Sequence, residues 1–476
     1  MELPKDTAVS STTRKIREIY LVIFSLGIFT YLNVFERFSL SQAFILGYQV
    51  YLILRFINNV GYTICFFDFL CFYSALDTLL MPIVGYNKFN QSNELARIWG
   101  WYMRVPEGDY FSFMIPCNLA LFFGCNLFLR KYGSDFFKSL IQKLRVDAKS
   151  KGKVGIVLTI IGFVSSFLSG SQSSLAFVFY LLSMLEYVGP FYIYYSDLVF
   201  RKKAFYISIL VFLAQAILMG MFGQFVMYIV LAFIIIAIQY NFKFITKLSV
   251  FVVGLFLIIV LQSVKGTYRI ITWNGKEKEG LSVQNSSRIE IFGTLFYKRL
   301  TDLSSLYEEK TAFGLYSRMN QGYLISKAMN YVPRVEPYAN GETIVRSLGA
   351  IVVPRFLWPD KPEAGGHENL ARFLGIKKKL TYSMNIGPYG EAYGNFGPEY
   401  GVVFIFVYGL FLSFLFKYML DLCTRMPSLV LWLPLVFYST LTVETDILST
   451  LNSFVKSAIF VFILFWISKK LFKVSL

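Results

Sequence analysis

The chain contains little of what soluble proteins and metal enzymes usually have. Charged residues make up only 16% of its 476 residues, and there are five cysteines and a single histidine. No spacing of cysteine and histidine is typical of a zinc site. A composition that is 56% hydrophobic and 18% aromatic cannot be solvated as a soluble globule. The sequence therefore predicts an integral membrane protein of the all-α class.

The cysteines also exclude one kind of extracellular domain. All five lie in or beside apolar runs, where a thiol behaves as a small apolar side chain. The segment 265–399 has none, so it is not held together by disulfide bonds.

Long apolar runs recur along the chain at the length needed to cross a membrane. A bilayer core of about 30 Å requires roughly 20 helical residues, and fewer where the membrane is thin. We predict about twelve transmembrane helices, at 19–34, 39–57, 60–81, 111–129, 153–169, 173–196, 203–220, 222–240, 248–264, 400–422, 427–443 and 453–468. The seventh and eighth are separate only if the chain turns between Gly220 and Gly223.

Basic clusters in the short loops predict the orientation, because lysine and arginine are retained on the cytoplasmic side. With twelve spans these clusters fall on one side: 14–17, 130–153, 201–203, 243–247, 425 and 469–473. Both termini are then cytoplasmic. The chain divides into a membrane bundle at 1–264, an extracytoplasmic segment at 265–399 and a second membrane bundle at 400–476.

The predicted extracytoplasmic segment is basic, with 18 lysines and arginines against 13 acidic residues. Guanidinium groups form paired hydrogen bonds to phosphate oxygens and stay charged when partly desolvated. The segment therefore predicts an anion site at the membrane surface, with a solvated or headgroup-binding face as the simpler alternative. Nucleic acid is not an expected partner, because no binding module for it is recognisable.

Local patterns in this segment predict three pieces of structure. Apolar residues at three-to-four spacing predict an amphipathic helix over 286–330. A short helix is predicted over 342–353. Pro354–Pro362 contains three prolines in nine residues, which makes it stiff and extended. It carries Arg355 and Lys361.

Several motifs follow one another through the C-terminal half: Arg318, Tyr331-Val332-Pro333, Gly341-Glu342, Pro354-Arg355 to Lys361-Pro362, and Gly390 to Gly397. Together they resemble the bacterial O-antigen and capsule polymerases, also called oligosaccharide repeat unit polymerases. The resemblance covers about the last 215 residues, and the N-terminal half only in hydropathy.

The resemblance implies a class C type glycosyltransferase that acts at the outer face of the bacterial plasma membrane. Such an enzyme transfers a growing glycan from undecaprenyl pyrophosphate to a hydroxyl of a new lipid-linked repeat unit, without a nucleotide sugar, metal ion or cofactor. The implied partners are undecaprenyl-pyrophosphate-linked oligosaccharides, membrane lipids and a chain-length regulator.

Two alternatives stay open. A flippase or other transporter of lipid-linked oligosaccharides predicts broken helices and polar residues at mid-membrane. A glycan ligase of the same superfamily would use the same donor with a different acceptor.

A lipid pyrophosphate donor requires cations for the departing phosphate charge and a base for the acceptor hydroxyl. We expect Lys265 and Arg269 to emerge directly after the ninth span at headgroup depth, with Arg318, Arg355 and Lys361 as further phosphate-binding residues. For Lys265 an ordinary role as an interface anchor is an equal alternative.

Two residues are candidates for the base. His367 is the only histidine, and an imidazole titrates in a range suited to proton transfer. Glu391 precedes the helix that re-enters the membrane. The structural alternatives are a surface position for His367 and, for Glu391, a cap on the helix that it precedes or an ion pair with an arginine.

Charged residues within the predicted spans require partners or water, because burying a charge in the bilayer is costly. Asp68 is expected to bind Arg55 or to line a cavity, and Asp77 belongs to the same group. Glu444 and Asp446, in the last outer turn, are expected to meet the arginines of the extracytoplasmic segment. Glycines spaced at four, three and four residues from Gly390 onward predict close helix packing, with a glycine-lined substrate wall as the alternative.

Overall fold

The computed structural model describes residues 11–168, 176–240, 242–278, 280–353, 357–376, 384–471, 473 and 476. Within these ranges the chain is helical and contains no β-strand, apart from one isolated bridge between Lys278 and Leu281. The predicted all-α class is confirmed.

The helices of the described residues are numbered in chain order. They are α1 (Ser11–Val34), α2 (Leu40–Asn59), α3 (Phe66–Ala75), α4 (Met81–Asn87), α5 (Glu94–Ile98), α6 (Glu107–Leu127), α7 (Ser134–Ala148), α8 (Gly152–Leu168), α9 (Ala176–Ser183), α10 (Leu185–Tyr195), α11 (Arg201–Met219), α12 (Phe222–Ala237), α13 (Phe244–Asn274), α14 (Arg288–Thr301), α15 (Glu309–Met319), α16 (Gly322–Tyr331), α17 (Glu342–Val352), α18 (His367–Leu374), α19 (Gly387–Arg425), α20 (Leu433–Phe437) and α21 (Ile447–Lys470). A π-helical turn, Leu76–Leu80, joins α3 to α4, and 3-10 turns cover Leu303–Leu306, Pro427–Trp432 and Tyr438–Leu441.

Eight helical segments of the described residues are long and apolar enough to cross a membrane. They are α1, α2, the continuous α3–α4 segment, α6, α11, α13, α19 and α21. A ninth is added if α7 and α8, which meet at 89°, form one broken span. These lengths and compositions are those of a multi-pass membrane protein.

The other predicted spans coincide with shorter helices. Segment 173–196 corresponds to α9 and α10, and segment 427–443 to α20 with its two flanking 3-10 turns. Prolines at positions 190, 427 and 434 lie in these segments. Because proline removes a backbone donor and clashes with the preceding turn, it bends or ends a helix that hydropathy alone predicts to be continuous.

The predicted turn between the seventh and eighth spans is confirmed at Gly220. This residue adopts a φ of 66°, in the left-handed region, and ends α11 directly before α12. Glycine has no Cβ and adopts this conformation without a steric penalty.

Two long helices extend past the ends of their predicted spans. Helix α13 continues to Asn274, so Lys265 and Arg269 lie on its last turns and not after it. Helix α19 begins at Gly387, so Glu391 lies inside it and does not precede it. Polar residues lower the hydropathy of these turns but do not prevent helix formation.

Gly397 divides α19 into two helical segments. Its φ of 72° and ψ of −169° are not helical, and Pro398 follows in the first turn of the second segment. Proline suits this position because the first helical amides have no intrahelical partner. The break separates the membrane-spanning part of α19 from the shorter part that carries Glu391.

The prediction of one continuous amphipathic helix over 286–330 is wrong. It is divided into α14, α15 and α16, whereas the short helix predicted at 342–353 is confirmed by α17. Between α15 and α16 the Asn320 side chain accepts a hydrogen bond from the backbone N–H of Tyr323 at 3.2 Å. A side chain that satisfies the backbone locally competes with continuation of the helix.

Helix α19 is fixed against α6 by close backbone contact. A Cβ built on Gly124 would lie 2.5 Å from the carbonyl oxygen of Phe406. The Ser413 hydroxyl donates to the carbonyl oxygen of Gly124 at 2.9 Å. Small residues let helices approach in this way, so α6 is a fixed support for the longer segment of α19, which follows Gly397.

Contacts bring three of the six basic loop clusters to one end of the bundle. These contacts join Arg17 to Tyr62, Lys247 to Asn58, Lys131 to Asp421, and Arg145 to Gln239. Lys265 follows Lys247 by 18 residues on α13, which corresponds to about 27 Å at the helical rise. Lys247 and Lys265 therefore mark two ends that are separated by nearly the thickness of a bilayer core.

Arg55 and Asp68 form the predicted ion pair, with Nε and Oδ1 2.8 Å apart. Asn59 donates to the other Asp68 oxygen at 2.7 Å, and Arg55 donates to Asn126 at 2.8 Å. Both charged side chains are largely buried, at 13% and 8% exposure.

Replacing Arg55 with leucine is expected to lower the free energy of unfolding by about 3–5 kcal/mol, because Asp68 would stay buried without its cation. Thermal unfolding of the detergent-solubilised protein measures this effect. The double variant Arg55→Leu/Asp68→Leu should regain most of the loss. A double variant as unstable as the single one would contradict the importance of the pair.

Candidate anion-binding site

Three of the predicted phosphate-binding residues converge at the Lys265 end of α13. Lys265, Arg269 and Arg318 are near enough to interact electrostatically. A Cβ built on Gly266 would lie 3.9 Å from Nη2 of Arg318. Lys265 and Arg269 are half-buried, and Arg318 is exposed. We call these three side chains the cation cluster.

The cation cluster has no carboxylate in direct contact. Within the described ranges, the ion pairs shorter than 4.0 Å involve none of its three members. Three positive charges held together repel one another. An arrangement of this kind is suited to an anion that carries more than one charge.

One carboxylate lies near the cation cluster, and a second lies near the first. Glu444, in the turn before α21, lies within electrostatic range of Lys265, as the sequence predicted. The Tyr73 hydroxyl donates to Oε1 of Glu444 at 2.6 Å. Asp77 interacts electrostatically with Glu444 from the π-helical turn. We call Asp77 and Glu444 the carboxylate pair.

The two members of the carboxylate pair differ in exposure. Asp77 is 1% exposed, and neither of its carboxylate oxygens has a hydrogen-bond partner within the described residues. Glu444 is exposed. Glu444 is therefore the carboxylate that a molecule bound at the cation cluster can reach.

Arg269 is positioned by the C-terminus of α11. Its Nε donates to the carbonyl oxygen of Gly220 at 2.9 Å, and its guanidinium lies 4.2 Å from the ring centroid of Trp273. Three further side chains donate to the preceding carbonyls: Tyr268 to Ile217, Arg288 to Leu218 and Trp273 to Met219. These last carbonyls of a helix lack intrahelical partners and attract cations. Arg269 therefore has a structural role besides any part in binding.

Arg318 is positioned by aromatic packing in its own helix. It lies in the last turn of α15, where Phe313 and Tyr316 pack against Phe89 with ring centroids 5.4 and 4.8 Å away. Asn320, which follows α15, donates to the Tyr316 hydroxyl at 2.8 Å. These contacts fix the end of α15 beside α13.

Another predicted phosphate-binding residue, Lys361, binds elsewhere. The Lys361 ammonium donates to the carbonyl oxygens of Ala350 and Val353 at 2.8 and 2.9 Å. It thus stabilises the C-terminal end of α17. Arg355 lies outside the described residues.

His367 lies at the start of α18, half-buried, and forms no hydrogen bond with another described residue. A nearby cavity of about 150 Å³ is lined by Arg346 and Arg372. Arg372 is already paired with Glu336 at 3.2 Å and Glu342 at 3.0 Å. The hydrogen bond and charge of Arg372 lower the pKa of Glu342. This cavity is therefore a weaker anion site than the cation cluster.

A cavity of about 600 Å³ lies at the opposite end of the bundle. Its lining includes Arg55 and Lys131. Arg55 is paired with Asp68 and with Glu18, and Lys131 lies 3.9 Å from Asp421. Paired charges of both signs make this cavity less suited to a polyanion than the cation cluster.

Glu391 occupies a capping position. It is fully buried, and its Oε1 accepts the backbone N–H of Ile447, the first residue of α21, at 2.7 Å. The Asp446 side chain caps the same helix by accepting the N–H of Ser449 at 3.2 Å. Both contacts satisfy amides that have no partner within the helix. The structure therefore differs from the expected cap, because Glu391 lies inside α19 and caps a different helix, α21.

Glu391→Gln is expected to fold and function like the unmodified protein, since an amide oxygen also accepts the Ile447 N–H. Glu391→Leu leaves that N–H buried without a partner, which lowers the free energy of unfolding by about 1–3 kcal/mol. Thermal unfolding in detergent and an activity assay on both variants check this. Loss of activity in Glu391→Gln at normal protein level would indicate a catalytic base instead.

Fold and site together define a helical protein with several candidate membrane spans and a cation cluster at one end of its bundle. The chain belongs to a family defined by a domain of unknown function (DUF8712), whose model matches residues 52–422. No curated protein and no solved structure matches the chain. The matched range contains the three cations and Asp77, whereas Glu444 lies after it.

Sequence reasoning missed the partner of Glu444. Tyr73 and Glu444 are 371 positions apart, and no local pattern connects them. Asp77 was identified as a charged residue within a span, but nothing in the sequence linked it to the cations. A buried charge signals that a partner exists without indicating which residue it is.

Proposed function

We propose that this protein polymerises lipid-linked oligosaccharide repeat units. It transfers a glycan from undecaprenyl pyrophosphate to a hydroxyl of an acceptor repeat unit at the outer face of the bacterial plasma membrane. The observation that carries the proposal is the convergence of Lys265, Arg269 and Arg318, none of which forms an ion pair with a carboxylate of the described residues. Guanidinium groups form paired hydrogen bonds to phosphate oxygens, and the negative charge of a diphosphate would neutralise the cation cluster.

The position of the cluster along α13 supports a lipid-linked substrate. The pyrophosphate of a membrane carrier lies at the boundary of the hydrocarbon core, and the cluster lies about 27 Å along the helix from Lys247. Basic short loops are retained in the cytoplasm, which assigns the Lys247 end and both termini to the cytoplasmic side. On this orientation the cation cluster is extracytoplasmic.

The proposed reaction uses both charged groups of the site. The acceptor hydroxyl oxygen forms a bond to the anomeric carbon of the donor, and the bond from that carbon to the pyrophosphate oxygen breaks. The electron pair leaves with undecaprenyl pyrophosphate, whose charge the cation cluster stabilises. Glu444 takes the proton of the acceptor hydroxyl. We assign this role to Glu444 ahead of His367 and Glu391 because it is exposed and faces the cations.

Purified protein in proteoliposomes, supplied with lipid-linked repeat units from the host, tests the proposal. We expect longer lipid-linked glycans and released undecaprenyl pyrophosphate, in EDTA and without nucleotide sugars. Unchanged repeat units would contradict polymerisation. Glycan appearing only on an added lipid acceptor would indicate the ligase reaction.

A transporter of lipid-linked oligosaccharides is the second candidate, because the structure contains features that this function requires. The break between α9 and α10, the 3-10 turns around α20 and the break at Gly397 interrupt otherwise apolar segments. Discontinuous helices commonly line transport sites. Movement of labelled repeat units across the proteoliposome membrane without a longer product would favour the transporter.

A further inference from the structure

A cavity lined by both apolar and polar groups lies beside the turn that carries Glu444. Its volume is about 370 Å³, and its walls come from α9, α10, α12, the α20 region and α21. Thr442 and Thr445, which flank Glu444 in the turn before α21, are part of its lining. The cavity is therefore adjacent in the chain to the carboxylate pair. Its volume lies within the roughly 300–1,000 Å³ typical of ligand pockets.

The lining combines aromatic rings with neutral hydrogen-bonding groups. It includes four tyrosines, the amides Gln224 and Asn452, and several serine and threonine hydroxyls. Among the described lining residues, Lys456 is the only charged side chain. Aromatic faces contact the C–H faces of a sugar ring, while amides and hydroxyls both donate to and accept from sugar hydroxyls. This chemistry matches a neutral, hydroxyl-rich ligand better than an acyl chain.

Tyr228 provides a second observation that indicates a ligand. Its side chain is 4% exposed, and its hydroxyl has no hydrogen-bond partner within the described residues. Buried polar groups are nearly always paired, because an unpaired one costs free energy. A sugar hydroxyl in the cavity would supply the partner, whereas an acyl chain has no group that does so.

We infer that this cavity binds a sugar residue of the lipid-linked oligosaccharide, next to the cation cluster that binds its pyrophosphate. This inference rests on the proposed function, which it deepens by assigning the glycan and the pyrophosphate to separate sets of residues. Tyr228 and Asn452 contact the sugar, and Lys265 and Arg318 contact the phosphates.

Equilibrium binding to the full chain in lipid nanodiscs tests this separation. The probes are the repeat-unit oligosaccharide, released from its lipid by mild acid, and undecaprenyl pyrophosphate without sugar. The variants are Tyr228→Phe and Asn452→Ala. Tyr240→Phe is the matched control, because the Tyr240 hydroxyl lies outside the cavity and forms a hydrogen bond with the Tyr194 hydroxyl. We expect each cavity variant to weaken oligosaccharide binding by about tenfold, and to leave undecaprenyl pyrophosphate binding unchanged.

The stability of Tyr228→Phe separates binding from folding. Removing a buried hydroxyl that has no partner does not destabilise the ligand-free protein, so its thermal midpoint should equal or exceed that of the unmodified chain. A reduced midpoint would overturn the assignment of this hydroxyl as unpaired.

The remaining outcomes distinguish the two proposals. Unchanged oligosaccharide affinity in both cavity variants would overturn the sugar subsite and leave the polymerase proposal standing. Displacement of the oligosaccharide by undecaprenol, with the same sensitivity to the variants, would show that the cavity takes lipid. Absence of binding by both probes to the unmodified chain would overturn the proposed function and the subsite with it.

Discussion

Arg318→Ala is expected to slow repeat-unit polymerisation by about 100- to 1,000-fold, the usual loss when one group that stabilises the departing charge is removed. Cells that carry the variant should accumulate lipid-linked single repeats, and long glycans should disappear from gels. The reason is that charge develops on the pyrophosphate as the sugar bond breaks, and Arg318 is the exposed member of the cation cluster. Protein level should stay normal, because Arg318 forms no ion pair within the described residues.

Arg318 is a better test position than the other two cations. Arg269 also binds the end of α11, so its removal would disturb packing as well as charge. Lys265 lies half-buried on the transmembrane helix α13, where an anchoring role is an alternative.

Two further variants make the result specific. Arg334→Ala removes the same charge from an exposed position in the same segment and should leave glycan length unchanged. Arg318→Lys keeps the charge but loses the planar pair of donors, so an intermediate rate is expected. Normal long chains from Arg318→Ala would contradict the assignment of the cation cluster to the pyrophosphate.

Glu444→Gln is expected to reduce the rate by about 100- to 10,000-fold, the contribution of a positioned general base. The amide oxygen still accepts the hydrogen bond from Tyr73, so the turn before α21 should keep its structure. The variant should bind undecaprenyl pyrophosphate with unchanged or higher affinity, because the lost charge is negative. Single-turnover polymerisation in proteoliposomes, measured beside binding, separates these effects.

Glu368→Gln is the matched control for Glu444. It changes the same group at an exposed position in the first turn of α18 and should leave the rate unchanged. Full activity of Glu444→Gln would remove it from the mechanism and return the role of the base to His367. Loss of binding in Glu444→Gln would indicate a structural role for the turn.

Parts of the site were predictable because they depend on the chemistry of single residues. The positive charge of the segment and the suitability of Lys265, Arg269 and Arg318 for phosphate follow from residue type. The roles of Glu391 and Lys361 at helix ends do not follow from residue type, because each side chain binds a backbone group of another segment. Their roles depend on how α19 meets α21 and how the chain folds back onto α17.

The sequence alone predicted the all-α class and the multi-pass membrane character. It also located the turn at Gly220 to Gly223 on which the 203–240 hairpin depends, and it gave Arg55 as one of two alternatives for Asp68. Hydropathy, glycine conformation and the cost of a buried charge act within one or two helices, so a linear pattern shows them. Only the tertiary structure decided that Arg318 meets Lys265 and that Tyr73 binds Glu444. These depend on packing between segments far apart in the chain, which no local pattern specifies.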